Sequence, residues 1–127
     1  MGMSTFDILP GFIANRPADE ARVAKAEATL GVKFAADYRR ALIDYGLIMA
    51  NGHELTGICN SPRLSVVAVT AKMREIYSAL PANAYVIEDT CIDGIIVCQD
   101  STGAIYQLVP CGEPERIAGS LLEYLKL

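Results

Sequence analysis

Apolar side chains in the first third of the chain recur every three or four residues, which is the spacing of one helix face. This pattern predicts two helices, over residues 18–30 and 35–45. Their apolar positions are Val23, Ala26 and Leu30 in the first helix and Tyr38, Leu42 and Tyr45 in the second. Gly31 and Gly46 follow the two stretches, and each is expected to end its helix because glycine takes a positive φ without steric cost.

Helical spacing returns in the middle of the chain and at its end. A third helix is predicted over residues 65–80, ended by Pro81. The β-branched residues within 66–69 lose side-chain freedom in a helix, so the predicted start of this helix lies between residues 65 and 69. A last helix is predicted over residues 119–127, with Ser120 near its cap.

Between the helices, short apolar runs separated by turn residues are typical of strands. The predicted strands are residues 53–59, 84–88, 94–99 and 104–109, with a short edge strand at 115–117. Asn51-Gly52 is a strong turn signal before the first of them. The turn at 100–103 joins the strands at 94–99 and 104–109 into a β-hairpin. The β-branched residues of 94–99 indicate a central strand covered on both faces.

Strands that follow one another without an intervening helix argue against a parallel, doubly wound sheet. The predicted fold is therefore α+β, with helices packed around a mixed, mostly antiparallel twisted sheet of about five or six strands. At this length, residues 1–127 are expected to form a single domain, in which residues 1–16 are an N-terminal arm that packs on the body.

Composition narrows the classes of function. Apolar residues make up 52% of the chain and charged residues 20%, which suits a packed core. A net charge of −4 without a basic stripe argues against a nucleic-acid partner. No apolar run is long enough to span a membrane and no signal peptide is visible, so a cytoplasmic protein with free thiols is expected. The four cysteines include no CxxC pair, so neither a metal site nor another cofactor is predicted.

The acidic residues are unevenly distributed. Between Arg74 and Arg116 the chain has seven acids and no basic side chain. One interpretation is a set of solvated turns; the other is an acidic face that attracts a basic protein partner. On the second interpretation the candidate partner-binding residues are Glu88, Asp89, Asp93, Asp100, Glu113 and Glu115.

Residues suited to catalysis are sparse. A nucleophile needs a base, and the only histidine, His53, stands in a predicted turn without a Ser or Cys partner in the sequence, so it is interpreted as a surface residue. Glu88, Asp89 and Asp93 are interpreted as solvated rather than as an acid–base pair. No glycine-rich phosphate motif occurs. The sequence therefore predicts a binding protein and not an enzyme.

Several short motifs resemble the SUKH superfamily, which includes the Smi/Knr cell-wall regulators. In the first half these are Leu30-Gly31, Asp37-Tyr38-Arg39, Leu42 with Tyr45-Gly46, Asn51-Gly52, and Glu54-Leu55 with Gly57-Ile58. In the second half they are Asp100, Gly103, Ile105-Tyr106, Ile117, Ser120-Leu121 and Glu123-Tyr124-Leu125. The chain departs from the family at Ala35, where a proline is usual, and in having no tryptophan.

The resemblance implies a SUKH-like α+β domain. It also implies a function, because bacterial members of the superfamily are mostly immunity proteins that bind and block a cognate toxin. The alternative that it leaves open is a regulatory or scaffold domain of the Smi/Knr type, binding a cellular protein or a small ligand. The resemblance implies no particular binding residues and no oligomeric state.

Overall fold

A computed structural model of the protein describes residues 6–127. A short 3₁₀ helix at Phe6–Ile8 precedes the four α-helices of this part of the chain. The helices are α1 at Glu20–Leu30, α2 at Ala36–Tyr45, α3 at Val66–Ile76 and α4 at Leu121–Leu125. Together with antiparallel strands they confirm the predicted α+β class.

The helix ends follow local capping chemistry. Gly31 has φ 68° at the end of α1, as expected for a glycine that closes a helix. The third helix begins at Val66, the earlier of the predicted starts, because the Ser65 side chain accepts a hydrogen bond from the Ala68 N–H. It ends at Ile76 instead of residue 80, because Tyr77 leaves the helix and its hydroxyl donates to the carbonyl of Gly94.

Within residues 6–127, seven strands form two antiparallel sheets, whereas the sequence predicted one sheet of about five or six strands. The three-stranded sheet has the order β1-β2-β3, and its strands are Ile13–Ala14, Ile48–Ala50 and His53–Glu54. The four-stranded sheet has the order β4-β5-β6-β7, and its strands are Tyr85–Asp89, Ile96–Gln99, Ile105–Leu108 and Glu115–Ala118. The predicted hairpin of β5 and β6 is confirmed, and β5 is buried along its whole length.

The strand predicted over residues 53–59 ends at Glu54. One further bond follows β2, from the Leu55 N–H to the carbonyl of Ile48 at 3.0 Å, and after Leu55 the backbone bonds to other elements. The Thr56 N–H donates to the carbonyl of Ile87 at 2.8 Å, and the Gly57 N–H donates to that of Leu64 at 2.8 Å. The segment therefore connects the small sheet to β4 and to the start of α3.

The core has two clusters on opposite faces of the four-stranded sheet. The larger lies among α1, α2, α4 and the small sheet, and Phe34, Tyr38 and Tyr85 stack edge-to-face and tilted at its centre. The smaller lies under α3 and includes Met73 and Cys98. Burial raises the pKa of the Cys98 thiol to about 12, so it behaves as an inert core side chain.

The predicted N-terminal arm is described from Phe6 onward, and its first five residues lie outside the described part. Phe6 and Leu9 are buried against the body. Strand β1 pairs with β2, Ile13 opposite Met49. The arm is thus an edge strand of the small sheet as well as a packed segment.

Candidate functional site

Glu88 points into the protein and joins three separate elements. The register of β4 shifts between Val86 and Glu88, and the Glu88 side chain is 9% exposed. Its Oε1 accepts hydrogen bonds from the Tyr124 hydroxyl of α4 and from His53 Nδ1 at 3.0 Å. Its Oε2 accepts the backbone N–H of Glu54 at 3.1 Å. We call His53, Glu88 and Tyr124 the polar cluster.

The interpretation of His53 as a surface turn residue is wrong. Its side chain is 18% exposed, and its ring centroid lies 4.6 Å from that of Tyr124. His53 does follow the Asn51-Gly52 turn, as predicted, but it is the first residue of β3, beside the buried end of β4. The imidazole ring of His53 is covered because the small sheet packs against the four-stranded sheet.

The polar cluster has the bonding of a structural network. An ionised carboxylate can only accept hydrogen bonds, and Glu88 accepts from a ring N–H, a phenol and a backbone amide. Burial and the adjacent Glu88 raise the pKa of Tyr124, so the phenol remains protonated and donates at neutral pH. These bonds fix α4 and the β2–β3 hairpin onto the four-stranded sheet.

Four of the predicted partner-binding acids lie at one end of the four-stranded sheet. Asp89 ends β4, Asp93 lies in the loop 90–95, and Glu113 and Glu115 lie at the entry to β7. The loops 90–95 and 109–114 touch: a Cβ added at Gly94 would lie 3.1 Å from Cγ of Pro110. We call Asp89, Asp93, Glu113 and Glu115 the acidic end.

Two apolar side chains are exposed in the same pair of loops. Ile92 is 62% exposed and Val109 is 40% exposed. A single exposed apolar residue is ordinary on a protein surface. Two in touching loops, beside carboxylates, give the mixture of apolar centre and charged rim that protein-binding surfaces use.

One basic residue from another part of the chain stands near the acidic end. The Arg63 guanidinium donates to both carboxylate oxygens of Glu54, at 2.6 and 3.0 Å. The pKa of Arg63 is raised first by this pairing with Glu54 and further by the negative charge of Asp89. The span that is free of basic residues in the sequence therefore has a cation beside it in space.

The remaining two candidates do not belong to the acidic end. Glu88 is in the polar cluster. Asp100 lies in the β5–β6 turn at the opposite end of the sheet, where it accepts bonds from the N–H of Thr102 at 3.0 Å and from its hydroxyl. Asp100 thus stabilises its own turn.

Sequence reasoning missed the polar cluster because its members are far apart along the chain. Glu88 is 35 positions from His53 and 36 from Tyr124. A weak signal exists, since Glu88 directly follows the continuous apolar run Tyr85–Ile87, and such a run is typical of a strand buried on both faces. That signal indicates a buried carboxylate but not its partners.

Neither a membrane-spanning helix nor a metal-ligand group occurs in the described part of the chain. No helix within residues 6–127 is long and apolar enough to cross a membrane. Within the same residues, no three His, Cys, Asp or Glu side chains are grouped so that they could hold a metal ion.

The fold and its exposed surfaces define an α+β domain in which helices cover two antiparallel sheets. The chain belongs to the SUKH_5 family, described as SMI1-KNR4 cell-wall, whose model matches residues 10–126. The resemblance carried by the Leu30-Gly31 and Tyr45-Gly46 motifs is thereby confirmed. No curated protein sequence matches the chain.

Proposed function

We propose that the protein is an immunity protein, which binds a cognate bacterial toxin directly and blocks it without chemistry of its own. The observation that carries this proposal is the acidic end together with the exposed Ile92 and Val109. Membership of the SUKH_5 family supports a protein-binding function. The proposal assigns the protein to the cytoplasm, where the free, exposed Cys91 and Cys111 remain reduced.

The charge of the acidic end specifies the chemistry of the partner. Carboxylates grouped on one surface attract a basic protein and accelerate its association at low salt. A nuclease has a basic surface of this kind, because the site that binds its nucleic-acid substrate is positively charged. Ile92 and Val109 contribute apolar contact at the centre of the complex, where charge alone gives little affinity.

The test is complex formation with the product of the neighbouring gene, measured at low and at high salt. The variant Asp93→Asn with Glu113→Lys removes charge from the acidic end, and Asn suits position 93 because it tolerates the φ of 54° found there. We expect its affinity for the partner to fall about tenfold or more at low salt, with a weaker salt dependence.

The matched control is Asp7→Asn with Glu20→Lys, which changes the net charge equally at exposed positions outside the acidic end. Its affinity is expected to stay near that of the wild type. The variant Ile92→Ser is expected to weaken the complex at every salt concentration, since it removes an apolar contact. Equal losses in the variant and its control, or no complex at low salt, would refute the proposal.

A second candidate is a regulatory or scaffold domain, favoured by the cell-wall description of the family. The two candidates differ in what the partner does to a cell. If the protein confers immunity, expression of the partner alone arrests growth, and co-expression of this protein restores growth. A harmless partner that still binds favours the regulatory function.

A further inference from the structure

A surface cavity of about 290 Å³ lies between α1 and the start of α3, away from the polar cluster. Apolar side chains line part of it, among them Ala26, Ile58 and Val67. Arg22 and Lys25 of α1 complete the wall. The cavity therefore combines an apolar surface with two cations, and its volume lies at the lower limit of small-molecule sites, about 300 Å³.

The two cations are available to a ligand. Arg22 and Lys25 stand one turn apart on α1 and are exposed. Among the described residues neither takes part in an ion pair; the pairs formed there belong to other side chains. The nearby carboxylate of Asp19 accepts the backbone N–H of Arg22 and so caps the helix. A bound anion would meet both side chains.

The opposite wall also favours negative charge. Ser65 lines the cavity and caps α3, and its Oγ accepts the N–H of Ala68 at 3.3 Å. The hydroxyl hydrogen of Ser65 therefore remains free to donate to a ligand. The positive end of the α3 dipole lies at the same place, because Val66 is the first residue of that helix.

From these features we infer that the cavity binds a small amphipathic carboxylate, a free molecule with one negative group and a short apolar body. The carboxylate lies between Arg22 and Lys25 on one side and the Ser65 hydroxyl on the other. The apolar body lies against Ala26 and Val67. This site is separate from the acidic end, and its existence does not depend on the proposed immunity function.

Benzoate and benzamide are suitable probes, since they have nearly the same size and differ in charge. Each is titrated into the full chain labelled with ¹⁵N, and amide chemical shifts are followed by NMR. We expect benzoate to shift the amides of Ala26, Cys59 and Val67 and to bind about five to ten times more tightly than benzamide, the effect of two exposed cations.

The variant Arg22→Gln with Lys25→Gln tests the cations directly. Glutamine has a high helix propensity, so α1 is expected to remain folded. Benzoate should then bind no more tightly than benzamide. The control Lys33→Gln with Lys72→Gln removes the same charge from exposed positions that do not line the cavity, and it should leave benzoate binding unchanged.

Three results would overturn the inference. The first is equal affinity of the wild type for benzoate and benzamide. The second is benzoate-induced shifts that lie elsewhere on the protein. The third is a loss of benzoate affinity that is the same in the variant and in its control, which would reflect net charge alone.

Discussion

At the scale of single residues, a chain of buried and partly buried hydrogen bonds joins α2 to the four-stranded sheet. The N–H of Ala35 donates to the Tyr85 hydroxyl at 2.8 Å, and that hydroxyl donates to Oε1 of Gln99 at 2.8 Å. Nε2 of Gln99 donates in turn to Oδ1 of Asp37 at 3.1 Å. Asp37 also accepts the N–H of Leu121 at the start of α4. Each polar atom named here has a partner, which buried polar groups require.

This chain of bonds explains the departure from the family at position 35. The φ of Ala35 is −62°, a value that proline would accept. Proline has no N–H, however, and could not donate to the hydroxyl of Tyr85. The backbone therefore suits the usual family residue, while the buried tyrosine requires a different one.

Ala35→Pro is expected to destabilise the protein by about 1–3 kcal/mol, because it leaves the buried Tyr85 oxygen without its donor. The measurement is chemical denaturation of four proteins: wild type, Ala35→Pro, Tyr85→Phe and the double variant. The cost of Ala35→Pro should be smaller in the Tyr85→Phe background, where no hydroxyl oxygen is left to lose its donor. An equal cost in both backgrounds would mean that the hydrogen bond is not the cause.

At the scale of elements, the sequence predicts those helices and strands that have a clear apolar periodicity or a clear capping or turn residue. The helices and the strands of the larger sheet were found within a few residues because their apolar spacing and turn residues agree. The small sheet was not found as a separate unit. Strands of two or three residues, such as Ile13–Ala14, are too short to show an alternation, and their pairing depends on distant segments.

The exit from α2 depends on a glycine for two reasons. Gly46 has φ 73° and ψ −44°, and the N–H of Leu47 donates to the carbonyl of Tyr45, which makes a γ-turn of the rare positive-φ form. A Cβ at this position would also lie 1.9 Å from the carbonyl oxygen of Arg16. The sequence indicates the need for a positive φ, because Gly46 follows the predicted end of the helix. It does not indicate the close approach of Arg16.

Gly46→Ala is expected to cost about 4 kcal/mol or more in unfolding free energy, since it combines an unfavourable φ with a backbone clash. Gly31→Ala is the matched control. Gly31 has a similar φ of 68°, but a Cβ there would meet nothing within 4 Å, so about 1–2 kcal/mol is expected. Denaturation of both variants gives the comparison. Similar losses would show that the approach of Arg16 is unimportant.

At the scale of the whole molecule, the sequence predicted an acidic region but not its extent. Asp89, Asp93 and Glu113 lie in or beside the loops 90–95 and 109–114, which touch, so the three acids can belong to one surface. Two facts could not be read from the chain: the buried Glu88 bonds to His53, and Arg63 approaches from a segment before α3. Both depend on how β3 packs beside β4, which is a contact between sheets and has no local sequence signal.

The order of strands in the two sheets has a consequence for how the protein folds. In the larger sheet, strands adjacent in space are adjacent along the chain, so each pairing closes only a short loop. In the small sheet, Ile13 pairs with Met49 across the whole length of α1 and α2. Short loops close at a lower entropic cost, and local contacts form faster.

Refolding followed by pulsed hydrogen exchange should therefore protect the amides of β5 and β6 before those that pair β1 with β2. A lag between the two groups is the expected result, and simultaneous protection would contradict it. On this order of events, the pairing of Ile13 with Met49 is among the last contacts to form.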